Sequence, residues 1–143
     1  MKNNSIKIAL LFLFSLTFIS CAQNKKETVD GDPLEAIQKN VVSLISPQEL
    51  NAISETVLII DVRTPKEYSE GHIPNARNIN FYDETFITEM NKLDKTKDIY
   101  VYCKVGGRSG KAAKQLQKLG FVKVYDLEGG ILNWKKNDLE IDQ

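Results

Sequence analysis

From residue 41 onward, short apolar runs alternate with segments whose apolar residues recur at helical spacing. VVSLI (41–45) is a β-branched run and reads as a strand. SPQELNAIS (46–54) opens on Ser46, with Pro47 at the first helical position and Glu49 three residues after the cap, the pattern of a capping box. TVLIIDV (56–62) is continuously apolar up to its aspartate, as expected of a strand covered on both faces. Thr64-Pro65-Lys66-Glu67 repeats the cap signal and predicts a short helix ending near Gly71. ARNINF (76–81) predicts a strand, and Phe86, Ile87, Met90 and Leu93 share one face of a helix over 84–93. IYVYC (99–103) is a second fully buried strand. A helix over 109–119 carries Ala112, Ala113, Leu116 and Leu119 on one face, with Gly120 in the C′ position. VKVYDL (122–127) predicts the last strand and residues 131–136 a final short helix. Repeated β–α units imply an α/β fold, with mostly parallel strands, right-handed crossovers and helices on both faces of one sheet.

The first forty residues follow another pattern. Lys2 and Lys7 flank a polar start, and IALLFLFSLTFIS (8–20) is then mostly apolar and without charge. Thirteen residues are short for a membrane span but suit the apolar core of a signal peptide. The run ends at Cys21, and FISC resembles the lipobox of bacterial lipoprotein signal peptides, although Phe18 stands where leucine is commonest. The resemblance implies a signal peptide over 1–20 and a lipidated Cys21, whose diacylglycerol and N-acyl chains would supply two-signal membrane anchoring. Residues 22–40 are polar, without a sustained apolar period, and read as a tether with a helical turn near Leu34–Lys39. The organisation expected is therefore 1–20 signal peptide, 21–40 lipidated cysteine and tether, and 41–143 folded domain. The expected location is the cell envelope, lipid-anchored and facing the periplasm.

Charge and cysteine content narrow the function. The chain has 143 residues, with 19 basic and 19 acidic side chains and zero formal net charge. That argues against a general nucleic-acid binder. With Cys21 lipidated, Cys103 has no partner within the chain for a disulfide. No CxxC occurs, and one free cysteine with one histidine makes a poor zinc site, so no metal is expected.

Cys103 stands at the carboxyl end of a predicted strand, where ligands bind in sheets of this kind. Lys104, Val105, Gly106, Gly107 and Arg108 follow, and the next helix is expected at about Ser109. Gly106 and Gly107 allow a tight turn that aims N–H groups inward, and the helix start favours an anion at the same point. A thiolate is such an anion, so the loop should lower the Cys103 pKa and make the sulfur nucleophilic. By its chemistry alone, Arg108 is either a loop brace or a substrate contact. Lys104 belongs to the anion-binding loop and either steers anions or is simply solvated. Asp61 and Arg63, at the end of another strand, read as a supporting ion pair, with Glu67 a candidate partner for Arg63. His72 in GHIP reads as part of a turn, and Trp134 as packing.

CKVGGRS (103–109) resembles the active-site loop of rhodanese-like single-domain sulfurtransferases. DVRTPKEYSEGHIPNARNI (61–79) and LEGGILNWKKNDL (127–139) resemble that family's first and closing signatures, in the same order and spacing. The resemblance implies the three-layer rhodanese-like fold. It also implies covalent transfer of a sulfane sulfur through a Cys103 persulfide, with no metal or organic cofactor. The partners it implies are a small sulfur-containing anion or thiol as substrate, and the membrane through the lipid; a monomer is expected. Val105 departs from thiosulfate-using members, which carry a basic residue there, and this leaves room for persulfides or larger thiols as donors. Two alternatives stand beside this reading. Related phosphatase loops have five residues between cysteine and arginine, whereas four intervene here, so a phosphate ester or arsenate should fit poorly. A non-catalytic binding module in the envelope is the other.

Overall fold

The computed structural model describes residues 41–143; the signal peptide, the lipidated Cys21 and the tether expected from the sequence lie outside the described residues. Ten elements follow one another: β1 (Val41–Ile45), α1 (Pro47–Ile53), β2 (Leu58–Asp61), α2 (Pro65–Ser69), β3 (Arg77–Asn78), α3 (Phe86–Asn91), β4 (Ile99–Tyr102), α4 (Gly107–Lys118), β5 (Lys123–Leu127) and α5 (Gly130–Lys136). The strands form one sheet in the order β1-β5-β4-β2-β3, and every neighbouring pair is parallel.

Strand alternation divides the core into two layers. Ile60, Ile99, Val101, Cys103 and Val124 pack with Phe86 and Met90 of α3 and with Ala112, Ala113 and Leu116 of α4. Ile45, Ile59, Tyr100, Tyr102 and Leu127 face the other way, onto Leu50 of α1 and Ile131 and Trp134 of α5, with Tyr68 of α2 packed against them. The fold is thus the three-layer α/β arrangement that the resemblance implied. Cys103 continues the alternation of β4 and so falls on the α4 side.

Both capping boxes form. Ser46 accepts from the Glu49 amide and Thr64 from the Glu67 amide, and each glutamate reaches back to its cap amide. Three elements are shorter than the apolar pattern suggests. The strand expected over 76–81 contracts to two residues, because it lies at the sheet edge with only Ile60 and Asp61 to pair with. The chain beyond it still runs beside β2, with the Ile79 amide donating to Asp61 O and the Phe81 amide to Val62 O. The helix expected from residue 84 begins at Phe86, because the Asp83 side chain takes the Thr85 amide into a turn. β2 begins two residues late, at Leu58. α4 begins two residues early, at Gly107, because Gly106 adopts φ +99 and reverses the chain at once.

Candidate active site

The loop between β4 and α4 closes around the Cys103 sulfur. The Gly106 amide donates to Sγ at 3.2 Å, and the Ser109 hydroxyl lies 3.5 Å from it. Burial pushes the thiol up. The Ser109 hydroxyl and the amides of Ser109, Val105 and Gly106 outweigh that push and leave the pKa below its ordinary value. The residue is only 1 % exposed. It forms the floor of an open depression of about 340 Å³ walled by Tyr82, Lys104, Val105, Gly107, Arg108 and Lys111. A donor must therefore bring its sulfur down into this depression. The lining joins three cationic side chains, Lys104, Arg108 and Lys111, with Tyr82 and the exposed Val105.

Arg108 gives its guanidinium hydrogen bonds to Glu67 rather than to the sulfur. Its two terminal nitrogens each donate to a Glu67 oxygen at 2.6 Å, a bidentate pair that ties α4 to α2 across 41 residues of sequence. Its guanidinium also lies 5.9 Å from the centre of the Tyr82 ring. In this structure Arg108 acts as a brace, and the suggestion that Glu67 partners Arg63 is corrected. Arg63 precedes α2, so the four-residue helical spacing that suggested the pair does not apply to it.

The Arg108 fork draws the Glu67 carboxyl down, burial opposes it, and Thr64 adds to the lowering, so the group titrates at about 2. A carboxyl with a folded pKa below its unfolded value of about 4.3 contributes its full stability above that pH and loses it as pH falls toward 2. A depression of that size corresponds to about 3 kcal/mol. With 28 % and 18 % of the two side chains exposed, solvent screening reduces this to about 1 kcal/mol. Glu67→Gln keeps an oxygen for the capping box but removes the charge. The wild type should therefore melt higher than this variant at pH 6, and the gap should narrow steadily as pH falls from about 4.3 toward 2; a gap constant over that range would contradict the assignment.

Asp61 and Arg63 form a separate buried pair. The Arg63 Nε donates to both Asp61 oxygens at 3.0 and 2.9 Å, and Nη2 donates to Oδ2 at 2.6 Å and to Gly71 O at 2.8 Å. Asn78 donates to the carbonyls of Asp61 and Arg63, so the β2–α2 connection is tied at several points. His72 stacks on Tyr68, and its backbone pairs with Asp142. Trp134 is buried and donates to Glu140 O.

The N-terminus of α5 holds the loop from behind, a role not read from the sequence. The Ile131 amide donates to Cys103 O at 2.9 Å and the Leu132 amide to Lys104 O at 3.2 Å. These bonds turn both carbonyls away from the sulfur, which frees the following amides to face it. Gly130 makes the approach possible: at φ +59, a Cβ there would sit inside contact distance of Cys103 O and 2.8 Å from the Lys104 carbonyl. The double glycine Gly129-Gly130 was the available signal. Tyr82 and Lys111 were also missed; Tyr82 lies in an irregular segment, and Lys111 stands one turn beyond Arg108 on α4.

A cysteine cradled by loop amides at the carboxyl end of a parallel strand defines a class of α/β domains built around a nucleophilic sulfur. The comparisons with known proteins give the family. A family model described as "Rhodanese-like domain" matches residues 46–137, and the chain belongs to that family. A sulfurtransferase of Allochromatium vinosum is 36 % identical over 90 residues, covering 63 % of this chain and 82 % of that protein. A tRNA uridine(34) hydroxylase of Aster yellows witches'-broom phytoplasma is 41 % identical over 107 residues, covering 71 % of this chain and 35 % of that protein. A rhodanese-related protein from Thermoplasma volcanium superposes with a TM-score of 0.64 at 29 % identity, covering 70 % of this chain and 97 % of that one.

Proposed function

We propose that this protein is a sulfurtransferase that moves a sulfane sulfur from a donor to a thiol or cyanide acceptor through a Cys103 persulfide. The observation that carries the reading is the Gly106 amide 3.2 Å from Cys103 Sγ, within a set of donors that lowers the thiol pKa. Such a site offers an ionised sulfur without a general base. The thiolate attacks the outer sulfur of the donor and the donor's S–S bond breaks. With thiosulfate, sulfite leaves with the bonding pair and Cys103 holds a persulfide anion. An acceptor thiolate then attacks the outer persulfide sulfur, takes it as its own persulfide, and returns the Cys103 thiolate. Charge and atoms balance in both halves. Amides that stabilise the first anion also stand beside the second.

The exposed Val105 and the breadth of the depression favour a persulfide or an organic thiol derivative over thiosulfate as the working donor. Lys104, Lys111 and Arg108 on its wall suit a donor that carries an anionic group. Lipidation at Cys21, with the domain in the periplasm, is part of the same proposal and rests on the sequence of residues 1–21. A binding module is the second reading, favoured by the 1 % exposure of Cys103. Intact mass of the full chain after treatment with thiosulfate, polysulfide and mercaptan-derived donors separates the two. Gain of one sulfur atom at Cys103, abolished by Cys103→Ser, supports transfer, and an unmodified thiol under every donor supports the binding module.

A further inference from the structure

Asp126 is a buried acidic group that the reaction above leaves without a task. It is the fourth residue of β5, and strand alternation puts it on the same face as Val124, which packs in the α4 layer. The residue is 6 % exposed, and its Oδ1 has no hydrogen-bond partner among the described residues. Its Oδ2 lies 3.4 Å from where a Cβ on Gly110 would stand, so the carboxyl occupies the notch that this glycine leaves in the first turn of α4. A glycine inside a helix costs about 1 kcal/mol relative to alanine; here its missing side chain makes room for a carboxyl.

The neighbour of Gly110 is Ser109, whose hydroxyl interacts with the Asp126 carboxyl. The same hydroxyl lies 3.5 Å from Cys103 Sγ and 3.2 Å from Gly106 O. A serine has one proton to give and several acceptors around it here. An ionised Asp126 would take that proton and leave the sulfur without it. A neutral Asp126 supplies its own proton to the serine oxygen, and the serine proton is then free for the sulfur.

We propose that Asp126 is a positioning residue for Cys103: a protonated carboxyl that donates to the Ser109 oxygen and so turns the single Ser109 proton onto the sulfur. The surroundings favour the neutral form. The elements around the carboxyl present Ser109 and Gly110 from α4, Val101 from β4 and Leu44 from β1, and no ion pair to Asp126 occurs among the described residues. Burial raises its pKa, with the Ser109 hydroxyl only partly opposing. A second anion one hydroxyl away from the thiolate would repel it.

The proposal rests on the reading of Cys103 as a stabilised thiolate, and two measurements on the full chain separate them. The infrared difference spectrum of wild type minus Asp126→Asn at neutral pH should contain the carbonyl stretch of a protonated carboxyl; its absence overturns the proposal. The pH profile of Cys103 alkylation is the second readout. Asp126→Leu should move its midpoint up by about one unit, a tenfold slower alkylation at neutral pH, matching Ser109→Ala. The double variant should go no further than either, and Asp126→Asn, whose amide can donate to Ser109, should restore the wild-type midpoint. A lowered midpoint in Asp126→Asn would reveal an ionised carboxylate that had been repelling the thiolate, and additive effects would mean that Asp126 does not act through Ser109; either result overturns the proposal. Failure of the Cys103 reading itself has a different signature, an ordinary midpoint in the wild type with the carboxyl band still present.

Discussion

Serine in place of Cys103 should reduce sulfur transfer to background, a loss of at least about a thousandfold. The substitution changes one atom. The loop amides, the Ser109 hydroxyl and the depression above them remain, so anion binding and packing are retained. What disappears is an acid weak enough in its hold on the proton to ionise near neutral pH, because a serine hydroxyl stays protonated even with several amides aimed at it. The covalent intermediate disappears with it. After exposure to a sulfane-sulfur donor, the wild-type chain should gain the mass of one sulfur atom and Cys103→Ser should gain none. The thermal midpoints of the two should stay within a few degrees, since the volume change at this 1 % exposed position is small. A Cys103→Ser chain that still acquires sulfur, and still passes it on, would place the nucleophile elsewhere.

Alanine at Gly130 should be the most damaging single-methyl addition near the loop. The residue combines φ +59 with a Cβ position that collides with the Cys103 and Lys104 carbonyl groups. Those atoms belong to backbone held by the Ile131 and Leu132 amides, so they cannot swing aside as a side chain could. Either the start of α5 backs away and both bonds break, or the loop shifts and the amides lose their aim at the sulfur. A loss of about 3 kcal/mol or more is expected in denaturant unfolding, together with a higher Cys103 pKa. Gly120 supplies the comparison. Its φ is +93, but nothing lies within 4 Å of its Cβ position, so Gly120→Ala should cost only the backbone strain, about 1–2 kcal/mol, and leave the thiol unchanged. If Gly130→Ala is no more harmful than Gly120→Ala, α5 does not hold the loop.

The sequence was most informative where local chemistry decides the structure. Ser46-Pro47 with Glu49, and Thr64-Pro65 with Glu67, are self-contained signals, and both helices start where those signals stand. The apolar runs of β2 and β4 are legible because parallel strands covered on both faces read as continuous apolar segments, broken in β2 only by Asp61 at its end. The family signatures identified the loop for the same reason: Cys103 through Ser109 is one contiguous unit. What was not legible depends on distance in the chain. Glu67 meets Arg108 only because α2 and α4 come together at the carboxyl ends of their strands, and no spacing rule reports a contact across 41 residues. The short span of β3 follows from its place at the sheet edge, which the apolar pattern of residues 76–81 does not encode. Asp126 looks like an ordinary polar residue in VKVYDL; its burial becomes visible only when Gly110 is set against it.

The measurement closest to the chemistry is the titration of Cys103 itself, read from the rate of iodoacetamide alkylation of the full chain as a function of pH. The part of the alkylation that disappears in Cys103→Ser is assigned to this sulfur, which separates it from any reaction at Cys21. A midpoint clearly below about 8.5, the ordinary thiol value, is expected, because the amides of Val105, Gly106 and Ser109 and the Ser109 hydroxyl favour the thiolate more than burial disfavours it. A midpoint at or above that value would mean that burial prevails, and would contradict the claim that this loop exists to hold ionised sulfur.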